Sequence, residues 1–303
     1  MTAAPTWDDP AATPALEGRA RDLGGGVMVR RVLPSPVRRL VGPFIFFDHA
    51  GPLTHAPGAG MDVRPHPHIG LATVSYLYEG EIVHRDTLGS LQAIRPGDVN
   101  WMIAGRGIAH SERTGAEVRA RGGAVHLLQC WVALPLESEE SAPAFEHHPR
   151  ASLPVIERKG VTMAVLAGTA YGAKAPTGVL SPTLYVSMRL APGAEAPIDD
   201  THVERAVYVV SGAVTCGGRK VPAGTMQVLP AGIALTVAAD PREAGGAEVV
   251  LVGGAPLAGE RHIWWNFVAS TNERIERAKQ EWREGRFGLI PGDDKEFIPL
   301  PDR

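Results

Sequence analysis

The sequence predicts an all-β protein, built as two tandem antiparallel β-barrels of jelly-roll type and closed by one short C-terminal α-helix. Three observations predict this. Apolar runs of strand length recur along most of the chain, and the 35 glycines and 26 prolines fall between those runs as turn signals. The order of runs and turns occurs twice: Gly80 ends SYLYEG and Gly212 ends VYVVSG, and Pro96-Gly97-Asp98 precedes WMIAGRG as Pro222-Ala223-Gly224 precedes VLPAG. Helical spacing of apolar residues is sustained only near the C-terminus.

A chain of 303 residues is long enough for two domains, each with its own core. Hydrophobic residues at 44% and charged residues at 21% exclude a disordered chain. A formal net charge of -3 gives no electrostatic reason to bind nucleic acid or an anionic membrane surface, so neither is expected as a partner. Cys130 and Cys216 sit among apolar residues and read as buried small hydrophobes in a reducing compartment. The first residues lack the basic-then-apolar order of a secretion signal. No apolar run approaches the roughly twenty residues of a spanning helix, so a cytoplasmic protein is expected.

Residues 1–26, rich in Ala, Pro, Gly and Asp, read as a flexible tail. Residues 27–136 read as the first barrel. In it VMVRRVL and GPFIFFDHAGP are short strands, with Phe44–Phe47 buried and with Asp48 and His49 where the strand gives way to a loop. ATVSYLY, EIVHRDTL, LQAIRPGDVNWMIAG and AVHLLQCWVALP follow as strands, with Trp101 and Met102 directed to the core. Residues 137–154 are polar, acidic and proline-containing and read as a linker, in which His147 and His148 are solvated. Residues 155–260 resume the strand rhythm as the second barrel. Residues 261–303 read as a helix and tail packing on the barrels. Ser270 and Glu273 suggest a capping box, and Ile275, Ala278 and Trp282 share one face, which predicts a helix over roughly Thr271–Glu284.

The chemistry gathers between Gly60 and Glu112. In a strand, residues i and i+2 face one side, so His66 and His68 project together from a backbone that Pro65 and Pro67 keep extended. His110 and Glu112 repeat the spacing. Two such strands meeting inside a barrel bring three imidazoles and a carboxylate to one point. That donor set suits a divalent Fe, Ni, Co, Cu, Mn or Zn ion, with open positions in five- or six-fold coordination. The competing reading is four core residues satisfied by hydrogen bonds. Asp48, His49, His84 and Gln129 are polar among apolar strands and are candidates to orient the ligands. In the second barrel the corresponding positions are Asp199, Thr201 and Leu235, with His202 nearby, so a metal-free barrel is expected there.

The pattern G-x5-H-x-H followed by G-x-G-x-x-H-x-E resembles the cupin superfamily. Within it, PHPHIGLATVSYLYEGEIVHRD, GDVNWMIAGRGIAHSER, GPFIFFDHAGP, HIWWNFVAS and EFIPLP resemble the pirin family, in its bacterial members, from about Val27 to the C-terminus. The resemblance implies a bicupin with one metal, usually iron as Fe(II), in the N-terminal barrel on His66, His68, His110 and Glu112. Many cupins place a liganding Glu a few residues after His-x-His. This chain has Leu71, Ala72 and Thr73 there, which leaves that role to Glu112. Some bacterial pirins cleave flavonols such as quercetin with molecular oxygen as 2,3-dioxygenases. For such a reaction Glu112, beside the metal, is the candidate general base. Other pirins are associated with transcription factors or metabolic enzymes, so the resemblance also implies a second reading, a regulatory protein whose metal serves redox sensing or structure. Pirins are often monomers.

Overall fold

The structure, a computed structural model, describes residues 13–23 and 27–302. The chain divides into two compact units. One contains Ala20–Val29, Asp48–Arg150 and the chain from Leu257 onward, and the other contains Arg30–Phe47, Ala151–Pro256 and the segment ending at Arg19.

The barrel carrying the histidine strands has a seven-stranded sheet in the order Ala144–His148, Val99–Ile103, Leu71–Glu79, Gly123–Ala133, Phe44–His55, Met28–Leu33, Arg19–Asp22. Its four-stranded sheet runs Asp62–His68, Ile108–Thr114, Ile82–Asp86, Leu91–Ile94. In the other barrel the long sheet runs Ala15–Glu17, Thr225–Leu229, Glu204–Ser211, Ala247–Gly254, Thr183–Leu190, Val161–Ala170, Val155–Arg158, with Ala173–Lys174 paired beside Val161–Ala170. Its short sheet runs Glu195–Pro197, Thr236–Ala239, Ala213–Cys216, Arg219–Pro222. The two strand orders match position for position, so the repeat read in the sequence is a duplicated barrel.

Ile82–Asp86 and Ala213–Cys216 alternate buried and half-buried side chains, whereas Val99–Ile103 and Thr225–Leu229 are buried on both faces and Arg19–Asp22 is exposed on both. Met61, Leu77, Ile82 and Leu127 belong to one core and Met163, Val186, Val207 and Leu251 to the other. Fully burying one such side chain contributes roughly 1.5–3 kcal/mol. Phe44, Ile45 and Phe47 are inaccessible and Phe46 nearly so, and Trp101 and Met102 lie in the core, as the sequence predicts. Both cysteines are buried and neither forms a disulfide. Among the described residues no helix is long and apolar enough to cross a membrane.

Several expectations need correction. Within the described part of residues 1–26, Ala15–Glu17 and Arg19–Asp22 are strands; residues 1–12 and 24–26 lie outside the described residues. Ala15–Glu17 pairs with Thr225–Leu229, Leu16 opposite Met226, and Leu16 is buried. A sheet edge offers a row of unpaired N–H and C=O groups. Satisfying them, with one apolar side chain covered, outweighs a composition that looks disordered. The expected linker 137–154 does the same in its own unit: Ala144–His148 pairs with Val99–Ile103, His147 opposite Asn100. His147 Nδ1 lies 2.7 Å from Asn100 Oδ1 and His148 Nε2 2.9 Å from Glu146, so neither is a free solvated loop histidine. Asp48 and His49 are buried within a strand that continues to His55, since the ladder to the adjacent strands does not stop where the apolar run does. A short helix, Ala116–Arg121, lies where only strands were expected.

The C-terminal helix spans Asn272–Arg283 and is capped by Thr271, whose hydroxyl accepts from the Arg274 amide. Ser270 is not the cap because its amide and hydroxyl are engaged by the Glu139 carboxylate. Ile275 and Ala278 are buried against Ile69, Phe267 and Ala269, with Trp282 partly buried beside them.

Candidate metal centre

Two neighbouring strands build the centre. Asp62–His68 and Ile108–Thr114 pair antiparallel with His110 directly opposite His66 and Ile108 opposite His68. Opposed residues of a ladder face one side, as do i and i+2, so all three imidazoles enter the barrel together. Their ring centroids are 4.4 Å (His66–His110), 5.0 Å (His66–His68) and 5.1 Å (His68–His110) apart. One nitrogen from each lies within 4.8 Å of the others, and this group can hold a metal ion.

Each ring is fixed through its other nitrogen. His66 Nδ1 is 2.8 Å from the Arg64 carbonyl oxygen and His68 Nδ1 3.0 Å from that of Asn266. A carbonyl only accepts, so both Nδ1 atoms carry the proton and both Nε2 atoms keep a bare lone pair. His110 Nδ1 lies 3.3 Å from His84 Nδ1, and His110 Nε2 is buried without a hydrogen-bond partner. An orphaned buried acceptor costs about 1–3 kcal/mol. A cation among three convergent imidazoles would give it a partner, so the donor set fits a metal.

Burial governs the electrostatics. The three histidines are 6%, 1% and 1% exposed in chain order. Desolvation pushes His66 down to about 4, against the Arg64 carbonyl, which favours the charged form, with the nearby His84 ring adding to the fall. Burial first, and then the neighbouring imidazoles, holds His68 and His110 well below the ordinary histidine range. The rings are therefore neutral near pH 7, the state a metal ligand requires.

Glu112 stands apart from this group. The register shifts between His110 and Glu112, which pairs with Val63 on one side and His84 on the other. Ser75 Oγ lies 3.3 Å from its Oε1 and 2.6 Å from Gln129 Oε1. One hydroxyl carries one proton, so Ser75 donates to one of them at a time. Burial raises the Glu112 carboxyl above its usual range, opposed by the nearby His84 ring and the bond from Ser75.

Of the residues the sequence singled out around the centre, the structure ties His84 to His110 and Gln129, through Ser75, to Glu112. His49 instead stacks on His126, ring centroids 4.9 Å apart, with 2.7 Å between their Nε2 atoms. Asp48 is buried on the same strand, outside the histidine group. In the second barrel the Asp199 carboxylate accepts from the Tyr171 amide and from the Thr201 amide and hydroxyl.

Sequence reasoning missed Asp86, Trp131, Phe145 and the Asn266 carbonyl. His84 and Asp86 are i and i+2 on a strand whose partners opposite are Glu112 and His110, so the spacing that found the ligands could also have found Asp86. Asp86 Oδ2 accepts from His84 Nε2 at 2.9 Å, and its Oδ1 accepts from the Leu88 and Ser90 amides at 2.9 and 3.0 Å. Burial pushes the Asp86 carboxyl up, but the bonds from His84 and Ser90 more than offset it and leave it below its ordinary value. Phe145 stacks flat on His84, centroids 4.3 Å apart and planes at 9°. Trp131 meets His68 edge-on at 5.1 Å.

Comparison with known proteins bears on both barrels. The Pirin family model matches residues 26–132, and that of the Pirin C-terminal cupin domain matches residues 185–288. A pirin-like protein of Caulobacter vibrioides is 47% identical over 95% of this chain and 98% of its own length. Pirin of Homo sapiens is 34% identical over 91% of this chain and 93% of its own. The crystal structure of quercetin 2,3-dioxygenase from Acinetobacter baumannii matches with a TM-score of 0.87 at 35% identity, covering 96% of each chain.

Proposed function

This chain belongs to the pirin family, and on that premise we propose that its N-terminal barrel holds one Fe(II) ion on His66, His68, His110 and Glu112 and cleaves flavonols such as quercetin with molecular oxygen. The observation that carries the metal reading is the buried, unpartnered Nε2 of His110 beside two imidazoles whose tautomers leave Nε2 bare. The flavonol reading is supported by the likeness over nearly the whole chain to a structure described as a quercetin 2,3-dioxygenase.

A divalent ion held there supplies a Lewis acid with positions open to a hydroxy-ketone and to oxygen. The protein's own groups do the rest. Glu112 accepts the proton of the flavonol hydroxyl, a role suited to a carboxyl that burial has made more basic. Ser75, when its hydroxyl turns from Gln129, donates to the carboxylate and steadies it. The Arg64 and Asn266 carbonyls and His84 hold the rings in place, and the apolar surround, Trp131 included, limits access of water.

The near-complete burial of the three imidazoles favours a second reading, a metal-dependent regulatory protein that docks on a transcription factor or a metabolic enzyme. Oxygen uptake by iron-loaded protein against a flavonol panel separates the two. Turnover that is lost in Glu112→Gln with iron retained supports the dioxygenase. No uptake with any flavonol, together with one reproducible protein partner from the native host, supports regulation.

A further inference from the structure

The inner face of the four-stranded sheet carries more polar machinery than a ligand set needs. His84 and Asp86 are both buried, at 4% and 0% exposure, and face the same side as Glu112 and His110 in the register of the paired strands. Each polar side-chain atom of this pair has a partner. Asp86 Oδ1 takes two backbone amides and Oδ2 faces His84 Nε2, and His84 Nδ1 faces His110 Nδ1.

A carboxylate only accepts, so the proton of neutral His84 is on Nε2 and its Nδ1 is a bare acceptor. A bare Nδ1 at 3.3 Å is satisfied only if His110 carries its own proton on Nδ1. That leaves His110 Nε2 bare. His66 and His68 have carbonyls to perform this service; His110 has none, and Asp86 acting through His84 takes that place.

We propose that Asp86 and His84 are positioning residues that fix the tautomer of His110, so that its Nε2 is presented unprotonated to the metal. Phe145 holds the intermediate ring flat, which gives a structural task to the strand Ala144–His148. The inference rests on the metal reading of the centre and adds to it that the third ligand is set from outside the ligand group. Outer partners of liganding histidines typically change metal affinity 10–100-fold when removed.

The substitution Asp86→Asn reverses the chain of donors. The oxygen of the new side-chain amide stays on the Leu88 and Ser90 amides, so its nitrogen meets His84 Nε2 as a donor. His84 then carries its proton on Nδ1, His110 Nδ1 becomes the acceptor, and the His110 proton moves to Nε2, where it blocks the metal. His84→Phe keeps the stack on Phe145 but removes the relay, and His84→Asn restores an acceptor at the place of Nδ1.

The test uses full-length protein, zinc alone as probe in competition with a chromophoric chelator, and nitrogen-15 spectra of the histidine rings in the metal-free protein. Expected are a 10–100-fold loss of zinc affinity in Asp86→Asn, a His110 proton on Nδ1 in the parent and on Nε2 in that variant, and no further effect of Asp86→Asn in a His84→Phe background. His84→Asn should bind zinc more tightly than His84→Phe, which keeps the test decisive if Asp86→Asn fails to fold. An equal loss from Asp86→Asn in both backgrounds, an unchanged His110 tautomer, or His84→Asn no better than His84→Phe would overturn the inference while leaving the metal reading intact. If the parent takes up no zinc, the metal reading falls and the inference with it.

Discussion

Acidifying the metal-free protein should destabilise it through the three histidines themselves. An unfolded histidine titrates near 6.5, whereas folded His66 titrates near 4 and His68 and His110 lie well below the ordinary range. Between those values the unfolded chain binds more protons than the folded one, so stability is intact above about pH 6.5 and declines as pH falls towards about 4. At about pH 5.5 each unfolded ring is roughly ten to one protonated while folded His66 is still neutral, a difference of roughly 1 kcal/mol. His68 and His110 shift in the same direction and add to it, which matters against a typical stability of about 5–15 kcal/mol. Urea unfolding in the presence of a chelator, followed by tryptophan fluorescence at about pH 7.5 and about pH 5.5, measures it. The variant His66→Gln should lose part of this pH dependence, since one of the three contributing rings is removed. Equal pH dependence in parent and variant would refute the assignment of three neutral buried rings.

Three substitutions probe the supports of the centre. Glu112→Gln should keep the protein folded and lower flavonol turnover by about 10²–10⁴-fold at saturating iron, the usual worth of a general base. Gly70 has φ +66°, and a Cβ there would stand 2.0 Å from the Val268 carbonyl oxygen. Gly70→Ala should therefore destabilise by at least about 2 kcal/mol in denaturant titration, combining a left-handed backbone with a backbone collision. Phe267 is inaccessible, so Phe267→Ala should cost about 3–5 kcal/mol. It should also weaken metal binding in the same chelator competition, because the preceding carbonyl, that of Asn266, holds His68.

The parts of this molecule legible in its sequence are those set by local periodicity. The spacing of two in His66-x-His68 and the doubled order of runs and turns depend only on strand geometry, and both the paired imidazoles and the duplicated barrel follow from it. The same rule placed Glu112 with His110 but could not show the register shift between them, which depends on the facing strand. Contacts made across long stretches of chain left no local trace. The Asn266 carbonyl that fixes His68 lies 198 residues away. Ala15–Glu17 and Ala144–His148 became strands because sheet edges were waiting for them. Segments of 3 and 5 residues are too short to display a period of their own, so composition suggested a tail and a linker.

The central claim is a metal ion on the imidazoles of His66, His68 and His110. Elemental analysis of protein purified without a histidine tag, beside the variant His66→Ala, tests it directly. The expected result is one equivalent of a divalent metal in the parent and its loss in a folded variant. Stoichiometric metal retained in His66→Ala, or a parent that takes up none when supplied with iron, would contradict it.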